Sequence, residues 1–149
     1  MPLGKIVLAS RVQSGFAFGR DPLSYSDRFR AGGGTSVRGY GEESLGPRVA
    51  GIPSGGDRLL ILNQEVRFPM FKWAGGVVFV DAGNIFCQAS ELRESCESEN
   101  LKGLRVGYGF GLRLNTPVGL LRGDVGFPRT ELATAPKNMR FYFGFGHIF

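Results

Sequence analysis

Three charged side chains in this chain are of types that could act on one another: Glu65, Asp81 and Arg38. Two carboxylates brought close together repel, and one of them takes up a proton unless a cation joins the pair. A guanidinium can fork across both, which a lysine ammonium does less well. Paired carboxylates also serve glycosidases as acid and base, but an interior filled by an arginine leaves a sugar no pocket. Other reactive constellations fail on their components. His147 is the single histidine and falls in the outward row of its segment, so no Ser-His-Asp arrangement can be assembled. The glycines around Arg38 lack the Gly-x-x-x-x-Gly-Lys-Ser/Thr spacing of a phosphate cradle. Cys87 and Cys96 flank the polar segment "CQASELRESC" with no further ligand nearby, which argues against zinc. A disulfide closing a small loop in an oxidising compartment is the preferred reading of the two cysteines, with two free thiols as the alternative. The expectation is a chain with no catalytic residue, no metal, no cofactor and no enzymatic activity.

The elements that must position Arg38 and the carboxylates are strands. The chain has 149 residues, about one domain, with 24 glycines and 13 phenylalanines. Glycine disfavours helices by about 1 kcal/mol per site, and a hydrophobic content of 42% is too high for a disordered chain. The net charge of +5 could suggest nucleic acid, but the arginines are dispersed rather than gathered, which argues against that partner. The start, "MPLGKIVLAS", shows no secretory-leader pattern, and no stretch of about 18 apolar residues marks a membrane helix.

Six segments alternate with a period of two. In "LRVGYGFGLRLN", Leu104, Val106, Tyr108, Phe110, Leu112 and Leu114 share one side, and Arg105, Gly107, Gly109, Gly111, Arg113 and Asn115 the other. "MRFYFGFGHIF" sets Met139, Phe141, Phe143, Phe145 and Phe149 against Arg140, Tyr142, Gly144 and Gly146. "RLLILNQEVRF" sets Leu60, Leu62, Val66 and Phe68 against Asn63, Glu65 and Arg67, with Gln64 as the one misfit. "KIVLASRVQSGFAFG" repeats the pattern, "GLLRGDVGF" sets Leu121, Val125 and Phe127 against Arg122, Asp124 and Gly126, and in "GGVVFVDAGNIF" parity turns Asp81 away from Val78, Val80 and Ala82.

A soluble sandwich would bury the aromatic side, but here the polar side carries glycines, which leave space instead of covering a surface. An apolar outside and a side of Arg, Gly and Asp within is the pattern of a membrane-spanning β-barrel. The connections alternate accordingly: "PMFKWA" and "NTPVG" are short, while residues 20 to 57, 87 to 103 and 128 to 137 are long. Short turns belong to the periplasmic side and long loops to the outside. A hairpin turning near Lys72 places Glu65 opposite or diagonal to Asp81 on the inward face. Arg38, in the glycine-rich stretch "RAGGGTSVRGYGEESLGPR", is the cation that could reach both, with the glycines letting the backbone approach the wall. Residues 20 to 57 are then expected to fold inward as a plug; a flexible external loop is the plainer alternative.

On "FRAGGGTSVRGYGEESLGP", "FVDAGNIF", "GYGFGLRLNTPVGLLRGDVGF" and "FYFGFGHIF", taken in order, the chain resembles the C-terminal part of the outer-membrane assembly-factor superfamily, with barrels of the BamA and TamA type, also called the bacterial surface antigen family. The resemblance implies an all-β, antiparallel transmembrane barrel segment of six strands, strands eleven to sixteen of sixteen, over residues 1 to 149. It implies that Val37, Arg38, Gly39 and Tyr40 tip a loop that enters the lumen, where Arg38 pairs with Asp81 and Glu65 on the wall. Phe141, Phe143, Phe145 and the terminal Phe149 are similar to the signal by which barrel proteins are recognised for assembly. His147 departs from that signal's usual apolar residue.

Six strands cannot enclose a plugged lumen, since about eight close only around side chains. An open sheet in lipid would leave roughly ten unpaired backbone groups on each edge at several kcal/mol apiece. The edges must therefore pair, either within a longer protein or with copies of the same chain as a homo-oligomer. The resemblance implies the outer membrane of a Gram-negative bacterium, with the lipid bilayer, the barrel assembly machinery and unfolded outer-membrane or secreted proteins as partners. The function expected is membrane-protein insertion or translocation, helped in that family by a weak seam between first and last strands. A self-assembled pore or structural barrel is the alternative, and a barrel anchoring a fused enzyme such as a patatin-like lipase a further one.

Overall fold

Alternating side chains and glycine-rich segments produce one meandering antiparallel sheet in the computed structural model, which describes residues 5–18, 23–87, 103–129 and 138–146. The strands in chain order are β1 (Val7–Phe16), β2 (Arg48–Val49), β3 (Ile52–Pro53), β4 (Arg58–Pro69), β5 (Ala74–Phe86), β6 (Arg105–Thr116), β7 (Gly119–Pro128) and β8 (Arg140–Phe145). Six of them form the sheet in the order β1-β4-β5-β6-β7-β8, each paired with its sequence neighbour in the sheet. The long strands run 10 to 13 residues, the length that crosses a bilayer at a tilt. The sixth, β8, has 6 residues. β2 and β3 make a separate small hairpin inside the long β1–β4 connection, a detail the sequence pattern did not signal.

The two faces have exchanged their usual roles. On the open face Leu8, Val12, Tyr108, Phe110, Leu112, Phe141, Phe143 and Phe145 are all exposed, Phe143 to 84%. On the opposite face Arg38, Glu65 and Asp81 have no solvent exposure at all. A water-soluble sheet would do the reverse, because apolar burial is the main driving force for folding in water.

The segment between β1 and β4 covers that second face. Its described part, from residue 23 onward, forms bridges between Phe29 and Gly56 and between Ala31 and Leu45, so it folds back on itself before lying against the wall. Ala31, Val37, Tyr40 and Leu45 of this segment pack with Leu59, Ile61 and Ile85 of the wall into a dry cluster. Leu59, Ile61, Val77, Phe79 and Ile85 share the parity of Glu65 and Asp81, and they are buried under the loop. Apolar cover at these positions excludes water from the charges beside them, which strengthens every charge–charge contact there.

Candidate functional site

The register of the β4–β5 hairpin sets Asn63 across from Asp81 and Glu65 across from Phe79. Glu65 is thus diagonal to Asp81 on the covered face, close enough for one cation to meet both. Arg38 is that cation. Its Nε donates to Asp81 Oδ2 at 2.6 Å and its Nη2 to Asp81 Oδ1 at 2.9 Å, a bidentate fork. Its Nη1 donates to Glu65 Oε1 at 2.7 Å, and the backbone N–H of Arg38 adds a bond to Asp81 Oδ2 at 3.1 Å. The guanidinium carbon also lies 3.4 Å from the centre of the Phe79 ring, a cation–π contact in a dry setting. Burial opposes the arginine's charge, but the hydrogen bond and charge of Asp81, followed by the charges of Glu65 and Asp124, outweigh it and raise the pKa of Arg38.

The network is wider than the sequence suggested. Asp124 of β7 lies 3.5 Å from Arg38 Nη1 and accepts from Arg113 Nη1 at 2.5 Å. Arg113 Nη2 approaches Glu65 Oε1 at 3.6 Å, and Arg67 Nε donates to Glu65 Oε2 at 2.8 Å. Asn63 donates both to Asp81 Oδ1, at 2.9 Å, and to the carbonyl of Ser36 in the loop, at 2.6 Å. Three guanidinium groups (Arg38, Arg67, Arg113) and three carboxylates (Glu65, Asp81, Asp124) are therefore interleaved. Equal numbers matter, because an unmatched buried charge costs far more than a matched pair gives back. Parity in "LRGDVG" already turned Asp124 to the same side as Glu65; what it could not supply was the distance from β7 to the loop tip.

Backbone conformation lets the tip sit this close. Gly39 has a φ of 98°, a left-handed value that a side chain would strain. A Cβ at Gly107 of β6 would collide with the Arg38 carbonyl, and one at Gly126 of β7 would meet the Gly39 nitrogen at 2.6 Å. The wall glycines thus leave space that loop backbone fills. Val37 is fully buried in the apolar cluster, and the Tyr40 hydroxyl donates to the Val106 carbonyl at 3.1 Å. Tyr142 was not singled out from the sequence, yet it ties the tip to β8. Its hydroxyl donates to the Tyr40 carbonyl at 2.7 Å and accepts from the Gly39 N–H at 3.0 Å.

Other residues singled out from the sequence lie elsewhere. Phe141, Phe143 and Phe145 are exposed on the open face of β8, remote from the arginine cluster, and Phe149 lies outside the described residues. Cys87 is disulfide-bonded. The other cysteine of the sequence, Cys96, lies outside the described residues, as does His147.

An apolar wall turned to its surroundings, with a loop pinned to the inner face by charge pairs, defines an outer-membrane β-barrel wall. Residues 1–149 match the Omp85 superfamily domain. The chain is 31% identical over 151 residues to the outer membrane protein assembly factor BamA of Nitratidesulfovibrio vulgaris, covering 96% of this chain and 18% of that protein. It is 31% identical over 125 residues to the chloroplastic outer envelope protein 80 of Arabidopsis thaliana, covering 83% of this chain and 15% of the relative. Its fold superposes on a crystal structure of BamA from Haemophilus ducreyi lacking POTRA domains 1-3, with a TM-score of 0.73 and 23% identity, over 93% of this chain and 31% of that one. The chain belongs to the Omp85 superfamily and spans less than a fifth of the length of these two relatives. Insertion and translocation of membrane proteins is the work of this family, and the place of this chain is the outer membrane of a Gram-negative bacterium. The loop-covered face is the bore, and the open face is the lipid side.

Proposed function

We propose that this chain forms the C-terminal wall of a non-enzymatic barrel that inserts other β-barrel proteins into the outer membrane or passes proteins across it. Residues 20–57 are its lumen-entering loop, Val37–Tyr40 the tip of that loop, and Asp81 and Glu65 the wall partners that hold Arg38. The single observation carrying the reading is the fully buried Arg38 held by carboxylates from three different strands. A loop serving only as an external flag would not bury a guanidinium there. The partners are the lipid bilayer, the barrel assembly machinery and unfolded barrel or secreted substrates. Phe141, Phe143, Phe145 and Phe149 are the signal by which the chain itself is assembled, and Cys87 and Cys96 form a disulfide in the β5–β6 loop. Reconstitution into vesicles tests the activity: a urea-unfolded small barrel protein should fold faster into vesicles holding this chain than into empty ones. Equal rates would overturn the reading.

A second reading rests on the free outer edges of β1 and β8, to which no strand among the described residues is paired. Copies of the chain could pair edge to edge and close a homo-oligomeric pore or structural barrel. Planar-bilayer recordings separate the two: ohmic channels of multimer size favour the pore, and folding catalysis without them favours the insertase.

A further inference from the structure

On the lipid face the outward row of β7 is Leu121, Gly123, Val125 and Phe127, and one member of that row has no side chain. The backbone does not demand a glycine at 123. Its φ is not left-handed, and a Cβ there would meet only the Phe143 ring, at 3.5 Å, an ordinary contact. The bore-side glycines differ, since a Cβ at Gly111 or Gly126 would collide with its neighbours. Gly123 thus leaves room that a larger residue could fill. The room is a groove of about 620 Å³, within the range of small-molecule sites. Leu112 of β6 and Phe143 of β8 flank Gly123 in register, and Phe110, Leu121, Val125 and Phe141 extend the walls. β7, the floor, is paired on both sides within the chain, so the notch does not depend on what lies against the outer edge of β8.

The same row ends in a cation. Arg129 follows Phe127 by two residues, its N–H still bonds the Val106 carbonyl at 2.8 Å, and it is exposed. It takes part in no ion pair among the described residues. Arg129 stands at the long-loop end of β7, the end that faces the cell exterior. Between it and the groove, Phe127 and Tyr108 stack at 5.8 Å between ring centres, as aromatic rings do at the membrane–water boundary. From Arg129 to Gly123 is about 20 Å along a strand. At a tilt of about 45° that is about 14 Å of depth, close to half of the roughly 30 Å of hydrocarbon. A lipid of one leaflet has these proportions, with a charged head at the surface and a chain that reaches the midplane. Phosphate is the head-group chemistry that a guanidinium favours. We propose that the outward side of β6, β7 and β8 binds a phosphate-bearing lipid of the outer leaflet, with Arg129 on the phosphate and one acyl chain laid past Phe127 into the groove at Gly123. This goes beyond the proposed function and rests only on the open face being the lipid side.

The test is quenching of a single tryptophan by bromine atoms on lipid chains. Trp73, the one tryptophan of the chain, is replaced by phenylalanine. A reporter is then placed at the groove, Phe141→Trp, or on the exposed face of β1, Val12→Trp. The chain is reconstituted into phosphatidylcholine vesicles containing dibrominated phosphatidic acid or dibrominated phosphatidylcholine with the same chains. The groove reporter should show about fivefold tighter binding of phosphatidic acid, the attraction of one arginine for anionic lipid, and the β1 reporter no preference. Arg129→Gln should abolish the preference, and Arg129→Lys should keep most of it. Gly123→Leu, which fills the groove with apolar atoms, should weaken both lipids alike at the groove reporter and leave their ratio unchanged; no weakening would deny the chain its place in the groove. Equal binding of the two lipids at the groove, a preference that survives Arg129→Gln, or one equally present at β1 would overturn the inference. So would a groove reporter that no bromine reaches while the β1 reporter is quenched, since protein and not lipid would then cover the groove. Quenching at neither reporter would overturn the lipid-side assignment as well.

Discussion

The bore face and the lipid face of this sheet are built from the same six strands, one residue apart, yet they hold together by opposite rules. On the bore face the buried charged side chains include Arg38, Arg113, Glu65, Asp81 and Asp124, and each of these is matched to a named partner at hydrogen-bonding or ion-pair distance. On the lipid face the side chains are apolar and touch few protein neighbours; Phe110 and Phe127, at 6.4 Å between ring centres, are among the few aromatic contacts there. Specificity therefore resides on the bore face, where geometry must be met atom by atom. The lipid face needs only to be greasy, because hydrocarbon makes no directional demand. A substitution should be costly on the bore face when it breaks a match, and costly on the lipid face only when it introduces polarity.

That contrast can be broken most severely at Arg38. Replacing it by alanine leaves Asp81 and Glu65 without their main cation and should cost about 3 to 5 kcal/mol, read as a lower denaturant midpoint in micelles and as new protease cutting within residues 20–57. Wild-type resistance to both would show that the bore is wet enough to solvate the carboxylates. On the other face, Phe110→Arg places a charge midway along β6 and should cost about 2 to 4 kcal/mol in a bilayer. Measured in parallel, Phe110→Leu should change stability by far less, and a large loss from leucine would contradict the claim that the lipid face is undemanding.

A smaller effect is expected from Asp124→Asn, which keeps the shape and removes the charge facing Arg113 and Arg38. A loss of about 1 to 3 kcal/mol is expected for an enclosed charged group deprived of its partner, and the double variant with Arg113→Gln should recover part of it. Additive losses in that cycle would mean the two do not interact. Tyr142→Phe removes two hydrogen bonds to the loop tip while keeping the ring, a change of about 1 to 2 kcal/mol. Hydrogen exchange should report it as faster exchange in β8 with β4 and β5 unchanged; uniform change across the sheet would deny Tyr142 its local role. The smallest effect should come from Gln64, which sits on the lipid face and accepts a hydrogen bond from Ser10 at 2.7 Å. Gln64→Leu together with Ser10→Ala should leave stability within about 1 kcal/mol, because removing both partners leaves nothing unsatisfied.

Much of this architecture was legible along the chain. Alternation in "LRVGYGFGLRLN" separated Phe110 from Arg113, and the hairpin centred near Lys72 brought Glu65 diagonal to Asp81, because strand parity and a tight turn are both local. The third carboxylate was half legible: Asp124 had the right parity, but two strands, β5 and β6, lie between β4 and β7 in the sheet, and no local rule gives that span. Tyr142 and Arg122 were sorted to the correct face and nothing more.

The sequence by itself determined which side chains face the bore and which face lipid, since a period of two is a property of the strand alone. It also determined that the glycine-rich stretch must adopt turns and close approaches that other residues resist. Only the tertiary structure decided which charges meet. Arg38 reaches Asp81, Glu65 and Asp124 because a loop from between β1 and β4 crosses the wall to β7, and contacts so distant in sequence depend on the summed twist, tilt and packing of every strand between them.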